Sequence, residues 1–315
     1  MTLARLTMAT VTLAASLLSA GMIPEHALDV ADANVDADAG VTSAEPLLVD
    51  AAWLARHLSD RNLVLLHVGD PAQFDSAHIP GARFVSQRMV SVSSEDHERG
   101  LMLELPSADS LRAQLQRLGI SDDSRIVVYY GGDWVSPTTR VVFTLDHAGL
   151  GARTSLLDGG MRAWVAAGGA VTKEKASPRE GRLSALRTQP LVVDAEWVRS
   201  HVGKPGISVV DARAASFYDG VEATAGRKGH IPGARSFPFT DVAGDDLKWL
   251  SRAALAERFA KAGVAPGDTI VGYCHIGQQA TAMLLAARIT GHPVRLYDGS
   301  MQEWSRRAEL PLEAR

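Results

Sequence analysis

Four stretches of this chain occur twice, in the same order. PLLVDAAWLARHL (46–58) returns as PLVVDAEWVRSHV (190–202), with Trp53 and Trp197 in register. AHIPGARF (77–84) returns as GHIPGARS (229–236), and SRIVVYYGG (124–132) as DTIVGYCHI (268–276). SLLDGGMRAW (155–164) returns as RLYDGSMQEW (295–304). Ordered self-similarity of this kind marks a duplication, with a unit of roughly 130 residues. Whatever one copy folds into, the chain folds into twice. At 315 residues there is enough length for two domains, each burying its own core.

Within each unit, short β-rich runs alternate with longer stretches of helical spacing. LVLLHV (63–68), ISVVDAR (207–213), RIVVYY (125–130) and TIVGYC (269–274) read as strands buried on both faces. SADSLRAQLQRLG (107–119) and SRAALAERFAKAG (251–263) read as helices that open on a capping serine and stop at Gly119 and Gly263. Strand–helix alternation predicts an α/β fold: in each unit a mostly parallel sheet flanked by helices. The domains are expected at 45–170 and 191–315. Between them VTKEKASPREGRLSALRTQP (171–190), charged and carrying two prolines, reads as an exposed connector.

The N-terminus has a different character. In residues 1–21 a single Arg5 precedes an apolar run, Leu6–Leu18, and small residues follow through Gly21. That order of regions is that of a secretory signal peptide, and the apolar run is short for a permanent span. Residues 22–44, rich in Ala and Asp, are expected to be a disordered tether. The expectation is an exported protein, periplasmic or secreted, with no membrane association after cleavage. The formal net charge of −4 offers no basic footprint for nucleic acid. Ten histidines stand without paired ligand spacing, so neither a metal nor an organic cofactor is expected.

Cys274 is the only cysteine. A lone cysteine is commonly an inert buried hydrophobe, whereas an unpaired one in an exported protein stands out as a reactive thiol. Its position favours the second reading. It ends an apolar strand and is followed by the strong helix sequence QQATAMLLAARI, so it falls at the carboxyl edge of a parallel sheet, where ligands bind. Gly277 supplies the freedom to curl the chain around one atom. The amides of His275, Ile276, Gly277, Gln278 and Gln279 are then expected to point inwards beside a helix N-terminus, lowering the thiol pKa. The other copy serves as a control: Tyr130 falls opposite Cys274, so the first unit keeps the scaffold without the thiol.

Duplicated HIPGA (78–82, 230–234), duplicated DG…W (158–164, 298–304) and a six-residue loop opened by cysteine (274–279) are together specific. In these the chain resembles the tandem rhodanese family of sulfurtransferases, over both repeats. The resemblance implies two tandem rhodanese-like domains and a ping-pong transfer. The Cys274 thiolate takes the outer sulfur of a small-molecule donor, and a thiophilic acceptor (cyanide, a thiol or a redox protein) removes it from the persulfide. It also implies that arginines of the second domain hold the donor's anionic end, with Arg227 preferred over Arg213, whose alternative partner is Asp211. Trp249 is a candidate wall of the pocket as well as a core aromatic. CHIGQQ has neither the basic residues nor the Gly-Ser that accompany the two common donors. His275, if protonated, could hold a sulfonate, and Gln278 and Gln279 could donate hydrogen bonds. Tyr218 stands where mercaptopyruvate enzymes carry a further arginine, so thiosulfate is favoured. The alternatives are a 3-mercaptopyruvate sulfurtransferase and a non-enzymatic sulfur carrier. His78, His230, Asp298 and Gly299 read as turn residues. A phosphatase of this fold needs arginine six residues after the cysteine, and Ala280 stands there.

Overall fold

The computed structural model describes residues 45–96, 100–133, 135–177 and 179–314; the expected signal peptide (1–21) and tether (22–44) lie outside the described residues. The first repeat runs β1 (Leu48–Val49), α1 (Ala51–His57), β2 (Leu63–Val68), α2 (Pro71–Ser76), β3 (Arg83–Val85), α3 (Ala108–Arg117), β4 (Arg125–Tyr130), α4 (Ser136–Leu145), β5 (Thr154–Leu157) and α5 (Gly160–Ala166). The second runs β6 (Val192–Val193), α6 (Ala195–His201), β7 (Ile207–Asp211), α7 (Ala215–Tyr218), the hairpin β8 (Ala223–Thr224) and β9 (Arg227–Lys228), and β10 (Arg235–Ser236). It continues through α8 (Arg252–Lys261), β11 (Thr269–Tyr273), α9 (Ala280–Thr290), β12 (Val294–Tyr297) and α10 (Ser300–Trp304). Apart from the hairpin, the elements correspond one to one.

Local chemistry explains the repeated words. In VDxxW the aspartate caps the helix that follows: Asp50 accepts from the Trp53 amide at 2.6 Å and Asp194 from the Trp197 amide at 2.7 Å. Ser107 and Ser251 cap α3 and α8 in the same way, through the amides of Ser110 and Ala254. The HIPGA histidines are buried anchors. His78 Nδ1 bonds the Phe74 carbonyl and the ring stacks on Phe74; His230 Nδ1 bonds the Tyr218 carbonyl and stacks on Tyr218.

Each sheet has five strands, all neighbours parallel, in the order β1-β5-β4-β2-β3 and β6-β12-β11-β7-β10. In the second sheet the chain leaves β11 towards β12 on one side, and leaves β7 towards β10 on the other. The carboxyl ends of β7 and β11 therefore flank a topological switch point, where an open parallel sheet forms a crevice.

The two repeats face each other through α4 and α9. Both helices are buried along almost their whole length; α9 is largely apolar, as expected of a buried helix, whereas α4 also buries Thr138, Thr139, Arg140 and Thr144. Thr139 Oγ1 meets Thr281 Oγ1 at 2.8 Å between them. One apolar core is continuous through this interface, from Leu66 and Val128 to Val210, Ile270 and Leu284, and each repeat has a separate core on its outer face. The segment expected as an exposed connector is docked onto the first repeat. Thr172 pairs with His78, the Ser184 hydroxyl donates to Asp122, and Leu183 is buried in the shared core. Most of its residues are nevertheless exposed, as expected, with Gly181 and Leu183 buried.

Candidate functional site

Strand β11 ends at Tyr273, and its hydroxyl accepts the Ile231 amide of the HIPGA turn. The first-repeat counterpart is Tyr129, which accepts the Ile79 amide, so Tyr130 and Cys274 are structurally equivalent. Cys274 follows β11 at the switch point, and the chain turns around its sulfur before α9 starts at Ala280. Gly277 makes the turn possible. Its φ is +76°, and a Cβ there would lie 2.6 Å from Asp298 Oδ1 and 2.8 Å from the Asp298 carbonyl oxygen.

The amides of Ile276, Gly277, Gln279 and Ala280 surround the Cys274 sulfur closely enough to favour its thiolate. Three of these amides belong to the expected loop, and the fourth is the first of α9. The expected direction of the thiol pKa is corrected. Burial pushes the Cys274 thiol up, and the amides of Ala280, Ile276, Gln279 and Gly277 oppose this without outweighing it. Neutral dipoles do not fully replace the water a thiolate loses in a closed pocket. The resting group is a neutral thiol inside a receptor shaped for a sulfur anion.

The loop is held from both repeats. From its own domain, the Cys274 amide donates to Ser300 Oγ at 3.1 Å, the Met301 amide to the Cys274 carbonyl, and the Gln302 amide to the His275 carbonyl. From the other domain comes Arg140, which the sequence reading did not single out. It is fully buried in α4; its Nη1 donates to the Gly277 carbonyl at 3.1 Å and to Asp298 Oδ1 at 2.6 Å, and its Nη2 to Asp298 Oδ2 and the Leu103 carbonyl. Asp298 also accepts the Leu105 amide, so the expected turn residue is an inter-domain anchor. The signal was available: an arginine inside the buried run TTRVVF needs a buried partner.

The other sequence candidates are distributed as follows. The Gln278 side chain is committed to the first repeat: its Nε2 donates to Ser136 Oγ at 3.1 Å and its Oε1 accepts from Gln87 Nε2 at 3.2 Å. Gln279 is half-buried, and its Oε1 has no hydrogen-bond partner among the described residues. His275 is half-buried against the edge of Phe217, with Nδ1 2.9 Å from Thr224 Oγ1. Burial, and then the Arg213 charge, hold its pKa below the usual value, so a protonated His275 on a sulfonate does not fit this site.

Arg213 lies under the site within electrostatic reach of Cys274, but its guanidinium is committed. It grips both Asp211 oxygens, 2.6 Å at the shortest, and also reaches Thr224 Oγ1 and the Gly229 carbonyl. Burial works against its charge, but Asp211 outweighs this and leaves it a firmer cation than usual. Arg227, the preferred anion binder, turns its guanidinium to the carbonyls of Arg307 and Leu310, at 3.1 and 2.9 Å. The Arg307 carbonyl also accepts the Leu310 amide, so Arg227 braces the C-terminal turn. Trp249 packs into the shared core and its amide donates to Asp158, so it belongs to the apolar interior. Tyr218 is likewise buried, its hydroxyl on the Ala234 carbonyl.

Beside the loop, between the repeats, opens a cleft of about 440 Å³. Ile276 and Gln278 form one wall, and Gln87, Arg88, Ser91, Ser93, Met102 and Leu103 of the first repeat form the rest. Among the described residues no cluster of three or more His, Cys, Asp or Glu side chains comes together as a metal site. In the first repeat the thiol position is filled by Tyr130, whose hydroxyl donates to the Leu247 carbonyl of the second repeat at 2.5 Å. There the equivalent position became a strut.

Fold and geometry together define a tandem α/β protein with one anion-receiving thiol site, built in its second half and braced by its first. The sequence model described as rhodanese-like domain matches residues 50–167 and again 194–307. A relative from Pseudomonas aeruginosa named probable 3-mercaptopyruvate sulfurtransferase is 35% identical, covering 82% of this chain and 94% of its own. The thiosulfate sulfurtransferase of the same organism is 30% identical, covering 87% of this chain and 99% of its own. The crystal structure of an anaerobic ergothioneine biosynthesis enzyme from Chlorobium limicola is similar with a TM-score of 0.74 at 22% identity, covering 85% of this chain and 70% of that one. That last likeness concerns the fold alone. The chain belongs to the rhodanese family, as two tandem domains, and is a sulfurtransferase.

Proposed function

We propose that the chain moves sulfane sulfur from thiosulfate to a thiophilic acceptor through a persulfide on Cys274, and that it does so as an exported protein. The observation that carries this is the ring of four amides around the only thiol. Such a ring stabilises the charge of a thiolate or of the persulfide anion that replaces it.

In the first half-reaction the Cys274 thiolate attacks the outer sulfur of thiosulfate. The new S–S bond forms as the donor's S–S bond breaks, and sulfite leaves with the electron pair. In the second, cyanide attacks the terminal sulfur, thiocyanate departs and the thiolate returns to the ring. Neither half-reaction needs a proton once the thiol is ionised. A mercaptopyruvate donor differs here: breaking its C–S bond leaves an enolate that must take up a proton. The nearest titratable group of the loop is His275, held neutral, and the neighbouring Asp211 is occupied by Arg213. This supports thiosulfate over the donor named for the Pseudomonas relative.

The test is thiocyanate formation from thiosulfate and from 3-mercaptopyruvate, with mass spectrometry of Cys274 before cyanide is added. Higher kcat/KM with thiosulfate and a gain of one sulfur on Cys274, both lost in Cys274→Ser, are expected. Full thiocyanate formation by the serine variant would falsify the mechanism, and preference for mercaptopyruvate would reverse the donor assignment. Export rests on residues 1–21, and N-terminal sequencing of protein from the extracytoplasmic fraction tests it.

A further inference from the structure

The arginines closest to the catalytic loop have their guanidinium groups spent on the protein. Arg213 holds Asp211, Arg227 holds backbone carbonyls, and Arg140 holds Asp298 and the loop itself. An anionic sulfur donor therefore has to find its cation elsewhere. The cleft beside the loop contains one charged side chain in its lining, Arg88, contributed by the repeat that has no cysteine. Arg88 is exposed and, among the described residues, makes no ion pair or hydrogen bond.

Its backbone is fixed. Arg88 sits in the 3-10 turn Gln87–Val90, which is anchored by buried Val90, by the Ser91 hydroxyl on the Gln87 carbonyl at 2.8 Å, and by the Met89 amide on the Ser86 carbonyl. The preceding side chain, Gln87, is hydrogen-bonded to Gln278 of the loop around the sulfur. The position of Arg88 is thus tied to the loop by one residue. Ser93, on the same wall, accepts the Leu103 amide at 3.0 Å, so its hydroxyl hydrogen is left to donate. A forked cation and a hydroxyl donor on one wall, with the loop opposite, suit an oxyanion with several acceptor oxygens.

We propose that Arg88, assisted by Ser93, receives the sulfonate end of the donor in this cleft, so that the cysteine-free repeat supplies the donor subsite. The proposal deepens the thiosulfate reading above and rests on it for the identity of the ligand. It makes the duplication functional: one copy carries the sulfur, the other holds the anion that delivers it.

Two measurements separate this inference from the donor reading. In steady state, Arg88→Ala is expected to raise the KM for thiosulfate about tenfold or more, the loss typical of a charge-assisted hydrogen bond, with kcat at saturation little changed. Arg88→Lys should recover part of it, since the charge returns without the fork. Independently of turnover, sulfite should protect resting Cys274 from iodoacetamide in wild type, and about tenfold more sulfite should be needed in Arg88→Ala. No thiosulfate turnover in wild type overturns the donor reading alone. Equal protection of wild type and Arg88→Ala, or an unchanged KM, overturns the Arg88 subsite whatever the donor.

Discussion

Replacing Arg140 by methionine isolates what the first repeat does for the catalytic loop. Methionine fills much of the arginine's volume and removes the charge with every hydrogen bond. Asp298 is then a buried carboxylate left without its cation, and the Gly277 and Leu103 carbonyls lose a donor. Breaking a buried pair from one side costs about 3–5 kcal/mol, a large share of a stability of about 5–15 kcal/mol. A structural strut would show that loss and nothing more. The Gly277 carbonyl, however, lies in the peptide between the two pairs of ring amides, Ile276 and Gly277 before it and Gln279 and Ala280 after. Releasing it frees that peptide to tilt, and the equivalent of one charge-assisted bond lost to the thiolate, about 1.5–3 kcal/mol, is at least tenfold in thiolate fraction. The assay is the pH dependence of Cys274 alkylation beside urea unfolding. Expected are a rate at neutral pH at least tenfold slower, a profile displaced to higher pH, and an unchanged limiting rate where all thiol is ionised. Arg140→Met/Asp298→Asn should regain much of the stability, since no buried charge is orphaned, but not the alkylation profile. If Arg140→Met loses stability while its profile superposes on wild type, Arg140 positions nothing.

Three further outcomes follow from the same geometry. Gly277→Ala should lose at least about 1–2 kcal/mol in urea unfolding from its left-handed φ alone, and also most of its activity, because its Cβ meets the Asp298 carbonyl; wild-type turnover in this variant would contradict the tight loop. Cys274 is protonated in the fold at pH values where the unfolded chain ionises, so its contribution to stability is full below about pH 8.5 and is lost as pH rises through the raised folded value. Cys274→Ala should accordingly show a flatter decline in stability above that pH, and parallel curves would refute the direction of the shift. Burial and the Arg213 charge hold His275 below its usual pKa, so His275→Gln should leave the shape of the kcat/KM profile between roughly pH 7 and 8 unchanged; disappearance of a step in that range would show that the imidazolium takes part.

Most of the scaffold was legible because it rests on local physics. The duplicated VDxxW is a helix cap within four residues, Ser107 and Ser251 cap their own helices, and apolar runs of strand length alternate with helical ones. The site was legible to the extent that it is local: a cysteine after a strand, a glycine that can take positive φ, and a helix that follows. The bracing was not. Gln278 looked like a substrate donor because nothing in its neighbourhood along the chain reveals Gln87 or Ser136, which are 191 and 142 residues away. Arg227 looked like an anion binder because an arginine beside HIPGA does not announce the two carbonyls that occupy it, about 80 residues further on.

The duplication, the pair of parallel sheets and the copy that holds the thiol were readable from spacing along the chain, and the family from the resemblance of its duplicated motifs. The direction of the thiol pKa, the commitment of Arg213 and Arg227 and the partners of Arg140 came only with the fold. These are questions of burial and of pairing between distant segments. A buried charge is governed by whatever surrounds it in space, and around Cys274 part of that surrounding comes from the repeat that has no cysteine.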